Sequence, residues 1–111
     1  MTAWIWIPIL LGLAWMIWRQ RGISAGQLSM LMARGAQVVD VRSPAEFRGG
    51  HVPGSKNIPL DQIQTRSKEL DPARPVLLCC ASGSRSAMAI ALLKQRGFSD
   101  VHNAGSWTAL C

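Results

Sequence analysis

The sequence predicts a three-layer α/β domain with a mainly parallel central sheet, preceded by one separate apolar segment. Three observations predict it. Short β-branched or apolar runs at Gln37–Val41, Val76–Cys79 and Val101–Asn103 alternate with stretches of helical spacing. The run Val76–Cys79 (VLLC) is apolar throughout, as suits a strand buried on both faces of a parallel sheet. The third is a break in composition: four of the five Trp (Trp4, Trp6, Trp15, Trp18) precede Arg19, the first charged residue. A chain of 111 residues holds one ordinary core. With 49% hydrophobic and 16% charged residues it is not a disordered tail. Its 3 Cys, an odd number with Cys79 and Cys80 adjacent, do not make a disulfide framework.

The apolar segment Ala3–Trp18 (AWIWIPILLGLAWMIW) contains no charge. As a helix it is about 24 Å long, short of a hydrocarbon core of about 30 Å. The Trp pairs at its two ends resemble the aromatic belts of a membrane-spanning helix, and Pro8 falls in the first turns, where it is tolerated. A signal peptide needs a basic start, and Met1-Thr2 offers none; a cleaved signal and an interfacial helix are the weaker alternatives. The expectation is therefore a single-pass transmembrane anchor over residues 1–20 and a second domain over 21–111. Arg19, Arg21 and Arg34 follow the apolar run and no charge precedes it. This places the second domain on the cytoplasmic face of a bacterial-type inner membrane. The net charge of +6 then suits an anionic lipid bilayer as partner. Nucleic acid is not expected, because the Lys and Arg are scattered without interleaved aromatics.

In the second domain, Ser24 with Gln27 three residues on forms a capping box, and Leu28, Leu31 and Met32 give the helix an apolar stripe that ends at Gly35. Gln37–Val41 is a strand. Ser43-Pro44-Ala45-Glu46 is a second capping box with Pro at the first helical position, opening a short helix that stops near Gly49-Gly50. His51–Gly54 is a turn, Lys56–Ile58 a short strand, and Asp61–Leu70 a helix marked by Ile63 and Leu70. After the loop Asp71–Pro75 comes the buried strand, then a helix over Ser86–Arg96 with Ala87, Met88, Ala91 and Leu92 inward. Gly97 ends that helix, and Val101–Asn103 and Trp107 follow.

Cys80-Ala81-Ser82-Gly83-Ser84-Arg85-Ser86 lies where the buried strand ends and a helix begins. Ligands of open α/β sheets bind at this end of the strands. Small residues let successive amides turn inward as an anion nest, and the helix N-terminus adds positive potential. A thiol there is expected to have a lowered pKa and to act as a nucleophile, with Arg85 as a planar donor to an oxyanion.

The pattern C-x-x-G-x-R-S after an apolar strand resembles the active-site loop of the rhodanese family of sulfurtransferases. Upstream, Asp40-Val41-Arg42-Ser43-Pro44-Ala45-Glu46-Phe47 and Gly50-His51-Val52-Pro53-Gly54-Ser55-Lys56-Asn57-Ile58-Pro59 resemble that family's other long motif, and Asn103-Ala104-Gly105-Ser106-Trp107 its closing stretch, with Ala104 in place of a Gly. The likeness runs from about Ile23 to Trp107. It implies a rhodanese-like fold and a sulfurtransferase that takes a sulfane sulfur onto Cys80 as a persulfide. The donor would be thiosulfate, polysulfide or a protein persulfide, and the acceptor a thiol or cyanide. Ala81, Ser82, Gly83, Ser84 and Ser86 would cradle the outer sulfur, with no metal and no organic cofactor. The loop lacks the extra basic residue of some thiosulfate-using relatives, which disfavours thiosulfate.

Two other readings stand beside this one. Cys79 and Arg85 have the C-x5-R spacing of cysteine phosphatases and arsenate reductases. Against that, Gly83 keeps the rhodanese offset from Cys80, Leu78 replaces the usual His, and only one of two adjacent strand residues can face the pocket. Cys79 is then a small buried hydrophobe or a resolving thiol. The last reading is a non-catalytic docking module at a membrane. Among supporting residues, Asp40 orients the loop and Arg85 or else satisfies backbone amides, and Arg42 and Glu46, four residues apart, pair with each other or cap the short helix. His51 and His102 are structural, and Trp107 is a lid or packing residue. Cys111 is a terminal thiol.

Overall fold

The computed structural model describes Trp4, residues 6–20 and residues 23–110. The sequence readings at Met1, Thr2, Ala3, Arg21, Gly22 and Cys111, and those of the Trp15, Trp18 and Arg19 side chains, lie outside the described residues.

Helix α1, Trp6–Gln20, has 15 residues, about 22 Å at 1.5 Å per residue. A bilayer core of about 30 Å needs roughly 20 residues. Among the described residues no helix is long and apolar enough to cross a membrane, so the transmembrane helix expected over 1–20 is not found there. The α1 side chains described, Trp6 to Ala14, are all exposed.

Helix α2 (Ala25–Ala33) begins at Ser24, whose hydroxyl accepts the Gln27 amide at 3.2 Å. Leu31 is buried and Leu28 half-buried, whereas Met32, expected on the same stripe, is exposed. Strand β1 (Gln37–Asp40) leads to α3 (Pro44–Arg48), where the capping box forms in full. Ser43 accepts the Glu46 amide, and Glu46 accepts the Ser43 amide. Strand β2 is only Lys56–Asn57. The helix expected over Asp61–Leu70 is broken into a 3-10 turn (Leu60–Gln62), one α-turn (α4, Ile63–Arg66) and a second 3-10 turn (Ser67–Glu69). Ile63 and Leu70 are still buried by it. Strand β3 (Val76–Cys80), helix α5 (Ser84–Gln95), strand β4 (Val101–Ser106) and a last 3-10 turn (Trp107–Leu110) complete the domain.

The four strands are parallel in the order β2-β1-β3-β4. Strand β3 is central, and all five of its residues are buried. Side chains alternate across it. Val76, Leu78 and Cys80 join Val39, Val41, Ile58, Ile63, Ala89 and Leu93 in one core under α4 and α5. Leu77 and Cys79 join Leu31 and Ala104 on the other face, under α2 and the last turn. This gives the three expected layers.

The inner face of α5 differs from expectation. Ser86, Ala89 and Leu93 are buried, with Ile90 packed beside them, while Ala87, Met88 and Ala91 face outward and Leu92 is half-buried. Spacing of three and four still holds, but the stripe is shifted and begins on a serine.

Candidate active site

Cys80 ends β3 at the carboxyl edge of the sheet, and the chain turns through Ala81–Gly83 into α5. Gly83 makes this turn possible. It is the N-cap of α5 with φ +100°, a left-handed conformation, and a Cβ there would sit 3.2 Å from Gly105 Cα. The opposing strand is shaped to match. The pairing of β3 with β4 slips between Leu78 and Cys79, so that Leu78 faces Asn103 and Cys79 faces Gly105. The bulge, with Ala104 as the extra residue, brings Gly105 against the loop. Asn103 fastens the contact, donating to Gly83 O at 2.9 Å and accepting the Gly105 amide at 2.8 Å.

The Cys80 sulfur accepts the Gly83 amide at 2.9 Å. Burial pushes the thiol pKa up, but the Ser86 hydroxyl and the amides of Ser86, Ser82 and Gly83 favour the thiolate and together hold it below its ordinary value. The Ser86 hydroxyl is wholly buried, and its interaction with the sulfur favours the anion. Ser82 and Ser84 turn their hydroxyls toward each other at 3.3 Å, and Ala81, Ser82 and Ser84 are exposed at the rim.

Arg85 does not point a free guanidinium at the sulfur. Its Nη1 and Nη2 donate to the two carboxylate oxygens of Glu46 at 2.7 and 3.0 Å. That pair, with the Ser43 backbone, holds the Glu46 carboxyl down to about 2. A cleft walled by Val41, Pro59, Leu60 and Leu92 opens beside Arg85, with Asp61 on its rim.

The expected Arg42–Glu46 pair does not form. Arg42 precedes the N-cap Ser43, so helical i,i+4 spacing does not apply to it. Its guanidinium instead donates to both Asp40 oxygens at 2.8 to 3.0 Å and to Gly50 O at 2.6 Å, and lies over the Trp107 ring at 4.6 Å. Asp40 also accepts the Arg42 amide. Of the two roles open to Asp40 in the sequence, the structure shows the backbone one; it does not bond Arg85 or the loop. Asp40 and Arg42 are both buried, on the Cys79 side of the sheet. Trp107 packs there. Asn57 clamps the end of β1 through Asp40 O and Arg42 O. His51 stacks on Phe47, and its Nδ1 meets Phe47 O at 2.8 Å; His102 pairs with Asp100 at 2.6 Å.

Sequence reasoning gave Asn103 no role and, beyond the Ser43 capping box, did not give Glu46 its Arg85 partner. The Asn-Ala-Gly stretch carried a signal for the first, since a Gly beside a strand Asn marks a close backbone approach. Nothing in local spacing linked Glu46 to a helix 39 residues away.

A thiol held by amides at the carboxyl end of a central parallel strand defines a class of α/β domain built around a cysteine anion. Within that class, the chain belongs to the rhodanese-like domain family, whose model matches residues 24–110. It is 37% identical over 81 residues to thiosulfate sulfurtransferase GlpE of Pseudomonas aeruginosa, covering 73% of this chain and 74% of that protein. It is 43% identical over 70 residues to the uncharacterized protein YqhL of Bacillus subtilis, covering 63% of this chain but only 56% of that protein. Among solved structures it resembles a rhodanese with anions from E. coli (TM-score 0.63, 32% identity, 67% of this chain and 89% of that one). It also resembles the human single-domain sulfurtransferase TSTD1 (TM-score 0.64, 26% identity, 80% and 93%).

Proposed function

We propose that the chain is a sulfurtransferase working by double displacement through Cys80. The Cys80 thiolate attacks the sulfane sulfur of the donor and an S–S bond forms. The donor's own bond to that sulfur breaks, and its electron pair leaves with sulfite, from thiosulfate, or with a thiolate, from a persulfide. The outer sulfur of the resulting Cys80 persulfide carries the negative charge. The amides of Ser82, Gly83 and Ser86 and the Ser86 hydroxyl stabilise it. A thiol or cyanide acceptor then attacks that sulfur and regenerates the thiolate. No charge beyond this one accumulates and no cofactor is called for. The observation that carries the reading is the 2.9 Å bond from the Gly83 amide to the Cys80 sulfur.

The test is steady-state kinetics with thiosulfate or a persulfide as donor and cyanide as acceptor. Double displacement gives parallel double-reciprocal lines, and Cys80→Ala falls to background. Intersecting lines, or activity kept in Cys80→Ala, would contradict the proposal.

We also propose that the apolar segment holds the domain at the cytoplasmic face of a bilayer. Trp6, Leu10 and Leu11 of α1 are 60%, 62% and 66% exposed, and Arg19, Arg21 and Arg34 follow the segment. Sedimentation with membranes that survives a carbonate wash supports this reading. Recovery of the intact chain in the supernatant speaks against it.

A further inference from the structure

The loop arginine has its charge already answered. Glu46 is the third residue of α3, where the capping box fixes its Oε1 against the Ser43 amide at 3.1 Å. From there both oxygens meet the Arg85 fork. Bidentate pairs of this kind are the stronger, more directional form of ion pair. Three donors hold one carboxylate, and both terminal nitrogens of Arg85 are turned to it. Arg85 is nevertheless near enough to Cys80 for the sulfur anion to act on it electrostatically, and it borders the cleft walled by Val41, Pro59, Leu60 and Leu92.

The donors open to this site differ in one respect that such a pair can sense. Thiosulfate carries a sulfonate whose oxygens are charged and remote from the sulfur transferred. A simple alkyl persulfide has no sulfonate, and its transferable sulfur needs only the loop amides. We propose that Glu46 is a positioning residue that sets the donor class: by holding Arg85 it denies the sulfonate of thiosulfate its cationic partner, and so favours persulfide donors. The inference rests on the sulfurtransferase reading of Cys80.

The test compares thiosulfate with β-mercaptoethanol persulfide in the wild type, Glu46→Gln and the double variant Glu46→Gln/Arg85→Gln. Gln serves at the third position of a capping box, so α3 keeps its cap while the charge is removed. In Glu46→Gln, KM for thiosulfate is expected to fall about tenfold, the ratio one hydrogen bond to a charged group supplies. Its kcat should change little, and the KM for the persulfide should stay near the wild-type value. The gain should vanish in the double variant. An unchanged preference in Glu46→Gln overturns the proposal, as does a gain that survives loss of Arg85. If Glu46→Gln melts early, Glu46→Asp keeps the charge but shortens the reach, and must shift the preference the same way or the proposal fails. Mass spectrometry separates the two failures. If the wild type gains one sulfur atom from either donor and the preference is unmoved, only the role of Glu46 falls. If no donor loads the wild type, the sulfurtransferase reading falls with it.

Discussion

Cys79 and Cys80 are adjacent on one strand, both wholly buried, yet they sit in different chemistries. Cys80 faces the α5 side, where the chain turns back over it and presents amides and a serine hydroxyl. Cys79 faces the α2 side, among Leu31, Leu77 and Ala104, close to the buried Asp40–Arg42 pair under Trp107. Strand alternation alone produces the division. One face of the sheet's carboxyl edge is an anion cradle, and the other is a strap that ties β1 to the chain's end. The side each cysteine faces sets its surroundings, with burial the same for both.

The largest expected effect falls on the strap. Asp40→Asn leaves the Arg42 guanidinium buried without its counter-ion, a change that costs about 3–5 kcal/mol in such pairs. Denaturant unfolding should show it. If the two sides are separate, the folded fraction should still load sulfur on Cys80. Loss of loading in folded protein would join the two sides and break the comparison. Gly83→Ala comes next. Its φ of +100° strains any side chain, and a Cβ would crowd Gly105 Cα at 3.2 Å; strain of this kind costs about 1–3 kcal/mol. Here both melting temperature and sulfur transfer should drop, because the strained turn is the cradle itself.

Ser86→Ala sharpens the comparison more finely. The thiolate is the charged form, and the cradle lowers the Cys80 pKa. Alkylation of Cys80 in the wild type should therefore reach half its limiting rate at a lower pH than an ordinary thiol, about 8.5. Without the Ser86 hydroxyl that midpoint should rise toward the ordinary value. A midpoint left in place would mean that the amides alone set it. The smallest effect is expected from Cys79→Ala. It removes one buried sulfur, on the order of 1 kcal/mol, and sulfur transfer should persist.

Much of this was legible in the residues. The VLLC run, the Ser43 capping box and the glycine three residues after Cys80 are local signals, and local geometry decided them. Three of the readings that departed from the structure show why. Arg42 and Glu46 are four apart, but Arg42 lies before the helix begins. The inner face of α5 was placed by hydrophobicity, whereas the structure buries Ser86 beside Cys80 and leaves Met88 in solvent, 60% exposed. The apolar run over 1–20 read as a span from its Trp placement, and the helix described is 15 residues long. Contacts between distant elements, Glu46 with Arg85 and Asn103 with Gly83, depend on how α3, α5 and β4 pack, and no spacing within one segment encodes them.

The central claim, that the two adjacent thiols are divided by the sheet and that Cys80 alone carries sulfur, is tested most directly by residue-resolved mass spectrometry. The wild-type chain is exposed to a persulfide donor, the thiols are blocked, and the peptide that holds both cysteines is fragmented. The account expects one added sulfur atom, on Cys80, with Cys79 unmodified. Sulfur located on Cys79 would contradict it.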